Sequence, residues 1–338
     1  MTGAPTSILC FRNGSIGNTL VAVPALRALR KSFPSASLAV VVDPVGYQLL
    51  EHCPWINRLI VYEKHGAHRG VRAHAQLIRE LRALHPSHAV LFKRFFRNGL
   101  LARLSGAAVR AGFKTNERAP FLNLTVPYDE SVPVVDLNLR LSERLGATPD
   151  GRDLELFLAP EDRDAAADLL HALRFADKTF VIAHYGGLTT PPDFMPLRRF
   201  LHVLRQIAGK TGRVLLIGHG AAEQAWADEI SAQFPNARPM CGLPLRTTAA
   251  LIERSRLFIG FNSGPAHIAA AVRVPEIIFF RPDARVAAEV RKWCPPSPLA
   301  HPLVPPASPD DDKAWAALIA TVSKIAGPPV PVAIQRRT

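Results

Sequence analysis

Two glycine-containing turns, one near each end of the chain, restrict the fold more than any other feature. The later one reads Phe261-Asn262-Ser263-Gly264-Pro265-Ala266-His267. It follows the apolar run 256–260 and opens the small-residue segment 268–272, giving strand, tight turn and helix. Gly264 lets the backbone come close to a ligand. Pro265 has no N–H to leave unpaired and suits a first helical turn. The unpaired N–H groups and the dipole at such a helix start favour anions, phosphate above all. His267 follows closely enough to reach the same anion. Taken alone, Asn-Ser-Gly-Pro is also an ordinary turn. The earlier turn, Phe11-Arg12-Asn13-Gly14-Ser15-Ile16-Gly17-Asn18, has the same context, between the strand-like 7–11 and the helical 19–30. Two βα units of this kind imply two nucleotide-binding halves, with ligands at the carboxyl ends of the strands.

The rest of the pattern agrees. Short apolar runs at 8–11, 38–43, 58–62, 88–92 and 109–112 read as strands, with helices at 19–33, 71–84, 98–104 and 134–145. After the turn-rich stretch 146–152 the alternation resumes. Strands fall at 179–184, 213–218, 237–240, 257–260 and 276–280, and helices at 160–173, 196–210, 221–234, 247–254 and 264–272. Helices between short apolar strands imply parallel sheets with right-handed crossovers. A last helix at 313–325 follows a proline-rich stretch, and 327–338 reads as a frayed tail.

At 338 residues, 48% apolar and 20% charged, the chain can bury a core in each of two domains. No apolar run approaches the roughly 20 residues that cross a bilayer. The first residues lack a basic start and an apolar signal core, so a cytoplasmic location is expected. Cys10, Cys53, Cys241 and Cys294 are far apart and read as reduced thiols. Lys and Arg total 41 against 28 Asp and Glu, a formal net charge of +13. That excess attracts anions. It is scattered over helices, with no basic arm or aromatic-interleaved stripe, so nucleic acid is not expected as a partner. An anionic lipid surface, an anionic acceptor or a nucleotide diphosphate fits better.

Three segments carry a resemblance to a known family. They are 16–27 with Phe33-Pro34; 249–260 running into Asn262–His267 and Val274-Pro275; and, more loosely, 183–187 with 195–200. In this order they resemble glycosyltransferase family 9, the ADP-heptose:lipopolysaccharide heptosyltransferases. The resemblance implies an α/β protein of the GT-B class, with two Rossmann-like domains whose parallel sheets face a central cleft. Residues 1–150 would form the acceptor-side domain and 151–312 the nucleotide-sugar domain. A helix at 313–326 would pack back on the first. The implied reaction is inverting transfer of a heptose-like sugar from an ADP-heptose type donor to a bacterial surface glycan such as lipopolysaccharide core. The partners would be a nucleotide sugar and an anionic glycan or glycolipid. No cofactor or metal is expected, the nucleotide sugar being a substrate. Asp310-Asp311-Asp312 reads as an acidic start to the last helix.

Such a transfer needs a base for the acceptor hydroxyl, donors for the departing diphosphate and orientation of both substrates. Three positions depart from the family pattern. The family's base position holds Asn18, which cannot take a proton. The acid before Ser-Gly-Pro is Asn262. The basic residue of the middle segment falls near Asp193 or Phe194. Another donor with another base, a slow enzyme that relies on positioning, and a binder without turnover all stay open. Alternative bases at strand ends are Glu63, His65, His68, His184, Tyr185 and Asp193. Asn18, His65 and Asp193 form the expected catalytic set, and a histidine near its ordinary pKa suits the role best.

Substrate contacts are expected from Ser15 and Gly17 in the first turn. Lys93, Arg94 and Arg97 after the fourth strand suit an anionic acceptor, because Arg forks grip phosphate and carboxylate. Gly186, Gly187, Thr189 and Thr190 could offer N–H groups and hydroxyls to the diphosphate. Asn262, Ser263, Gly264, Pro265 and His267 form the phosphate turn. The resemblance points Glu223 at the ribose, although an acid in a first helical turn is also simply favoured there.

Overall fold

The computed structural model describes residues 3–114, 121–187, 193–209 and 212–328. The chain divides into two compact units, Met1–Phe157 and Leu158–Thr338. The division lies beyond the turn at 146–152 for a physical reason. Arg27, almost fully buried, holds Asp150 at 2.8 Å and Glu155 at 2.7 Å, and the Trp55 indole donates to Glu155 at 3.0 Å. These contacts tie 150–155 to the first core.

The first unit has strands β1 (Ser7–Phe11), β2 (Ser37–Val42), β3 (Arg58–Val61), β4 (His88–Leu91), β5 (Val109–Lys114) and β6 (Leu124–Pro127). They form one parallel sheet in the order β3-β2-β1-β4-β5-β6. Its helices are α1 (Ile16–Leu20), α2 (Val23–Ser32), α3 (Pro44–Leu50), α4 (Val71–Ala83), α5 (Phe96–Leu104) and α6 (Val134–Arg144). The helix expected over 19–33 is two helices. Pro24 lies in the first turn of α2, and proline there removes an N–H and clashes with the preceding turn.

The second unit repeats the plan. Strands β7 (Phe180–Ala183), β8 (Arg213–Gly218), β9 (Ala237–Cys241), β10 (Leu257–Phe261), β11 (Glu276–Phe279) and β12 (Ala300–Leu303) form a parallel sheet, β12-β11-β10-β7-β8-β9. The helices are α7 (Pro160–Leu173), α8 (Leu197–Ala208), α9 (Gly220–Gln233), α10 (Leu245–Arg254), α11 (Gly264–Ala271), α12 (Val286–Trp293) and α13 (Asp312–Ala326). The helix expected to return to the first domain, α13, buries Trp315, Leu318, Ile319 and Val322 in the second unit's core. Its Trp315 indole donates to Ser308 O at 3.0 Å.

In each sheet the strand order reverses direction beside the first strand, between β1 and β4 and between β7 and β10. Open α/β sheets leave a crevice at the carboxyl ends there. The segments after those four strands are Arg12–Asn18, 92–95, 184–187 and Asn262–Ser263, so the fold delivers both turns and their partners to two switch points.

Candidate active site

The switch point of the first unit is built around a buried cation. Arg12 is 1% exposed. Its Nε donates to Asn18 O at 2.5 Å and its Nη2 to Asn18 Oδ1 at 2.8 Å. Asn18 Nδ2 in turn donates to Ser15 Oγ at 2.8 Å. The amide at the base position is therefore fixed at both ends, and Gly17 is buried in α1 beneath it. Burial pulls the Arg12 guanidinium down to about 9, against the opposing pull of Asp43. Asp43 caps α3, accepting from Gly46 N–H at 2.7 Å, and reaches across to Gly14 N–H at 2.6 Å. Gly14 has φ +150°, and a Cβ there would meet Lys93 Nζ at 3.0 Å. Neither Arg12 nor Asp43 was singled out in the sequence. The available signal was a charged residue directly after each of two adjacent strands.

Beside this network opens a cavity of about 760 Å³ lined by Asn13, Gly14, Asp43, Glu63, His65, Phe95, Phe96, Arg97 and Asn98, among others. Three expected residues, Glu63, His65 and Arg97, thus line one pocket. Asn98 is 2% exposed and its Nδ2 has no partner among the described residues, so it can donate into the pocket. Burial lowers the Lys93 ammonium pKa, with nearby Arg12 adding to the effect. Arg94 is placed differently. It lies over the Tyr128 ring at 3.6 Å and 3.6 Å from Glu130. His68 Nδ1 accepts from Glu63 N–H at 3.1 Å, a loop-holding contact.

In the second unit, three separated segments converge. His184 follows β7 and is 4% exposed. Its Nε2 lies 3.2 Å from Glu223 Oε2 and its Nδ1 lies 3.2 Å from Ser263 Oγ. Glu223 Oε2 also accepts from His219 N–H at 2.8 Å. Burial works against the Glu223 charge, but the contacts from His184 and His219 hold its carboxyl below the ordinary range. Ser263 occupies the N-cap of α11 yet makes no capping bond. Its hydroxyl turns to His184 instead. Gly186 lies close against this group, and a Cβ there would crowd the Glu223 carboxylate. His267 is buried, its Nδ1 has no partner among the described residues, and burial lowers it to about 4.

A second cavity, about 270 Å³, is lined by Gly186, Gly187, Asn262, Arg281, Asp283 and Arg285, with Phe194, Phe261 and Phe280. Arg281 grips Asp193 bidentately, at 2.7 and 3.1 Å, and stacks on Phe194. This pair corrects the expectation for Asp193. A carboxylate held below its ordinary range by Arg281, despite some burial, is poorly suited to take a proton. Tyr185 is also structural. Its hydroxyl donates to Met195 O at 2.8 Å, and burial pushes its pKa up to about 12. Arg281 and Arg285 escaped the sequence reading. Thr189 and Thr190 lie outside the described residues.

Among the described residues no group of three or more His, Cys, Asp or Glu is gathered to hold a metal. Asp310 and Asp312 pair with Arg198 and Arg199 at 2.7 and 2.5 Å, and Asp311 caps α13. No described helix is long and apolar enough to cross a membrane.

Two Rossmann-like units, each with charged and glycine-rich loops at its switch point, make up the GT-B fold. The chain is similar in fold to a glycosyltransferase family 9 protein from Veillonella parvula, with a TM-score of 0.81, 22% identity, and 94% and 90% of the two chains covered. It is also similar to the ADP-heptose lipopolysaccharide heptosyltransferase II of Escherichia coli, with a TM-score of 0.75, 18% identity, and 95% and 98% covered. In sequence it is 27% identical to lipopolysaccharide heptosyltransferase 3 of Escherichia coli (strain K12) over 277 residues, 78% of this chain and 79% of that one. The model of glycosyltransferase family 9 (heptosyltransferase) matches residues 74–290. The chain belongs to glycosyltransferase family 9.

Proposed function

We propose that the protein transfers a heptose from an ADP-linked donor to a sugar of lipopolysaccharide core, with inversion at the anomeric carbon and without a metal. The second unit takes the donor. What carries this reading is the cavity at the β7/β10 switch point. There Gly186, Gly187 and Asn262 leave room for a backbone-bound diphosphate, and Arg285 and the Asp193-paired Arg281 offer guanidinium groups beside Asp283 and Glu289. The uncapped start of α11 adjoins it. Arg281 takes over the role left vacant by the missing basic residue of the middle segment. Related proteins supply the substrate class: one is an ADP-heptose lipopolysaccharide heptosyltransferase, and another was solved with ADP-2-deoxy-2-fluoro heptose.

The first unit takes the acceptor in the cavity lined by Gly14, His65 and Arg97. Asn18, fixed by Arg12 and Ser15, orients the acceptor hydroxyl. His65 in the same cavity removes the proton, and Lys93 and Arg97 draw the anionic core sugar. A peripheral contact with the inner membrane brings the glycolipid within reach.

The test is a nucleotide panel followed by a transfer assay. ADP and ADP-heptose should raise the melting temperature more than UDP, GDP or dTDP, and Arg281→Gln should reduce that shift. Transfer to core oligosaccharide should give the inverted linkage by NMR. A shift with UDP, GDP or dTDP alone would reassign the donor. Tight nucleotide binding without any transfer would make the chain a binder.

A further inference from the structure

An N-cap serine ordinarily spends its hydroxyl on an N–H of the first helical turn. Ser263 does not. Its Oγ lies against His184 Nδ1 at 3.2 Å, and the opposite ring nitrogen lies against Glu223 at 3.2 Å. The three groups come from the loop after β7, from α9 and from the start of α11. They form one line that ends at the turn facing the donor.

The hydrogen positions along this line follow from chemistry. Glu223 is a carboxylate, so His184 Nε2 carries a proton and donates to it. His184 Nδ1 is then either a lone pair or a second N–H. With a lone pair, it accepts the Ser263 O–H, and serine offers the turn only lone pairs. With an N–H, it donates to Ser263 Oγ, and the hydroxyl proton is free to point at a ligand. The first state repels an anion and the second attracts one, because it adds both a donor and a positive charge.

We propose that Ser263, His184 and Glu223 form a proton-coupled anion switch, in which the donor's diphosphate binds against Ser263 and draws one proton onto His184. The proton comes from solvent, and no covalent bond changes. As the sugar departs and charge builds on the diphosphate, the charged imidazole and the serine hydroxyl are already in place to hold it. Ser263 contacts the diphosphate. His184 and Glu223 are positioning residues. Among the described residues, His184 is the titratable group in contact with Ser263. Burial holds Cys241, near Glu223, at about 11 and Tyr185 at about 12, with Glu223 and Asp228 acting further on the former and Glu229 on the latter. His267, on the same helix as Ser263, is buried and held neutral. His219 contributes a backbone N–H to Glu223.

The proposal rests on the second unit being the donor site, and the experiment separates the two. ADP binding to the full chain is followed by titration calorimetry at pH 7.5 in PIPES and in Tris, whose ionisation enthalpies differ. Wild type should take up about one proton per nucleotide, and its affinity should fall up to tenfold per pH unit above neutrality. His184→Gln should bind ADP more weakly, with no buffer dependence and a flat pH response. Inorganic pyrophosphate, which has no ribose, should lose affinity in Glu223→Gln and in Ser263→Ala, whereas Ser263→Thr should retain it. If wild type binds ADP without proton uptake, the switch is refuted and the donor site stands. Unchanged uptake in folded His184→Gln also refutes it. If no nucleoside diphosphate binds, the donor-site reading fails and the switch falls with it.

Discussion

Gly186 gives the sharpest test of this geometry, because its neighbour Gly187 serves as the control. Gly186 has an ordinary φ, so alanine fits its backbone; the obstacle is steric. A Cβ would collide with Glu223 Oε1 and lie 2.7 Å from its Cδ and 3.0 Å from His184 Nε2. The Glu223 side chain is the flexible partner and is only 16% exposed, so it should swing away from both ring and backbone. It would forfeit the contacts to His184 at 3.2 Å and to His219 N–H at 2.8 Å. Hydrogen bonds to a charged group are each worth about 1.5–3 kcal/mol. The displaced carboxylate recovers much of this from water, leaving a net loss of about 2 kcal/mol, or about 4–8 °C in a unit of this size. A Cβ on Gly187 meets nothing within 4 Å, and its alanine variant should stay within about 0.5 kcal/mol of wild type. Urea unfolding read by tryptophan fluorescence reports mainly the second unit, which holds Trp226, Trp293 and Trp315. Equal midpoints for the two variants would refute the placement of Glu223.

Asn18→Ala should lower kcat on the true acceptor at least tenfold through lost orientation. Asn18→Asp should place a carboxylate against Arg12 Nη2, 2.8 Å from the present amide oxygen, and raise first-unit stability by about 1 kcal/mol; no gain in the unfolding midpoint would contradict the Arg12 network. Lys93→Ala and Arg97→Ala should raise the acceptor KM and flatten its salt dependence. Arg94→Ala, whose side chain lies on Tyr128, should leave both unchanged, as steady-state kinetics across ionic strength will reveal. His267 titrates near 6.5 when unfolded and about 4 when folded. Above pH 6.5 both states are neutral; below it the unfolded chain binds a proton that the folded one refuses. Stability should therefore fall from pH 6.5 to about 4, by up to about 3 kcal/mol. A folded His267→Gln variant should show a correspondingly shallower acid loss in urea titrations.

The elements legible in the sequence were those with strong local pattern. The central strands are continuous apolar runs such as Leu38–Val42 flanked by turns, and α8 has a clear apolar stripe. The edge strands β6 and β12 were missed, since four residues containing Pro127 or Pro302 carry little strand signal. Helix α12 buries no residue and has no core face to betray it. Helix α3 was not expected; its one local signal is the Asp43 cap followed by Pro44. Within the site, the two turns could be read because each is contiguous. The His184–Glu223–Ser263 line could not, since its members stand 39 and 79 residues apart. Asp193 looked like a free acid for the same reason: Arg281, 88 residues later, is brought to it only by the sheet.

The first strand of each unit ends up near the middle of its sheet, and this sets an order of events at the ribosome. β7 emerges early and acquires β8 and β9 on one side, but its other flank stays bare until β10 has been made. Long-range parallel pairing of this kind is slow and leaves apolar edges exposed meanwhile. The turn proposed to hold the diphosphate lies directly after β10, so a nascent second unit lacks that proposed site until this central strand docks. Nucleotide bound at the proposed donor site would stabilise the completed unit and give nothing to the partial one, so on that proposal a pool of sugar nucleotide would act as a late chaperone for the nascent chain.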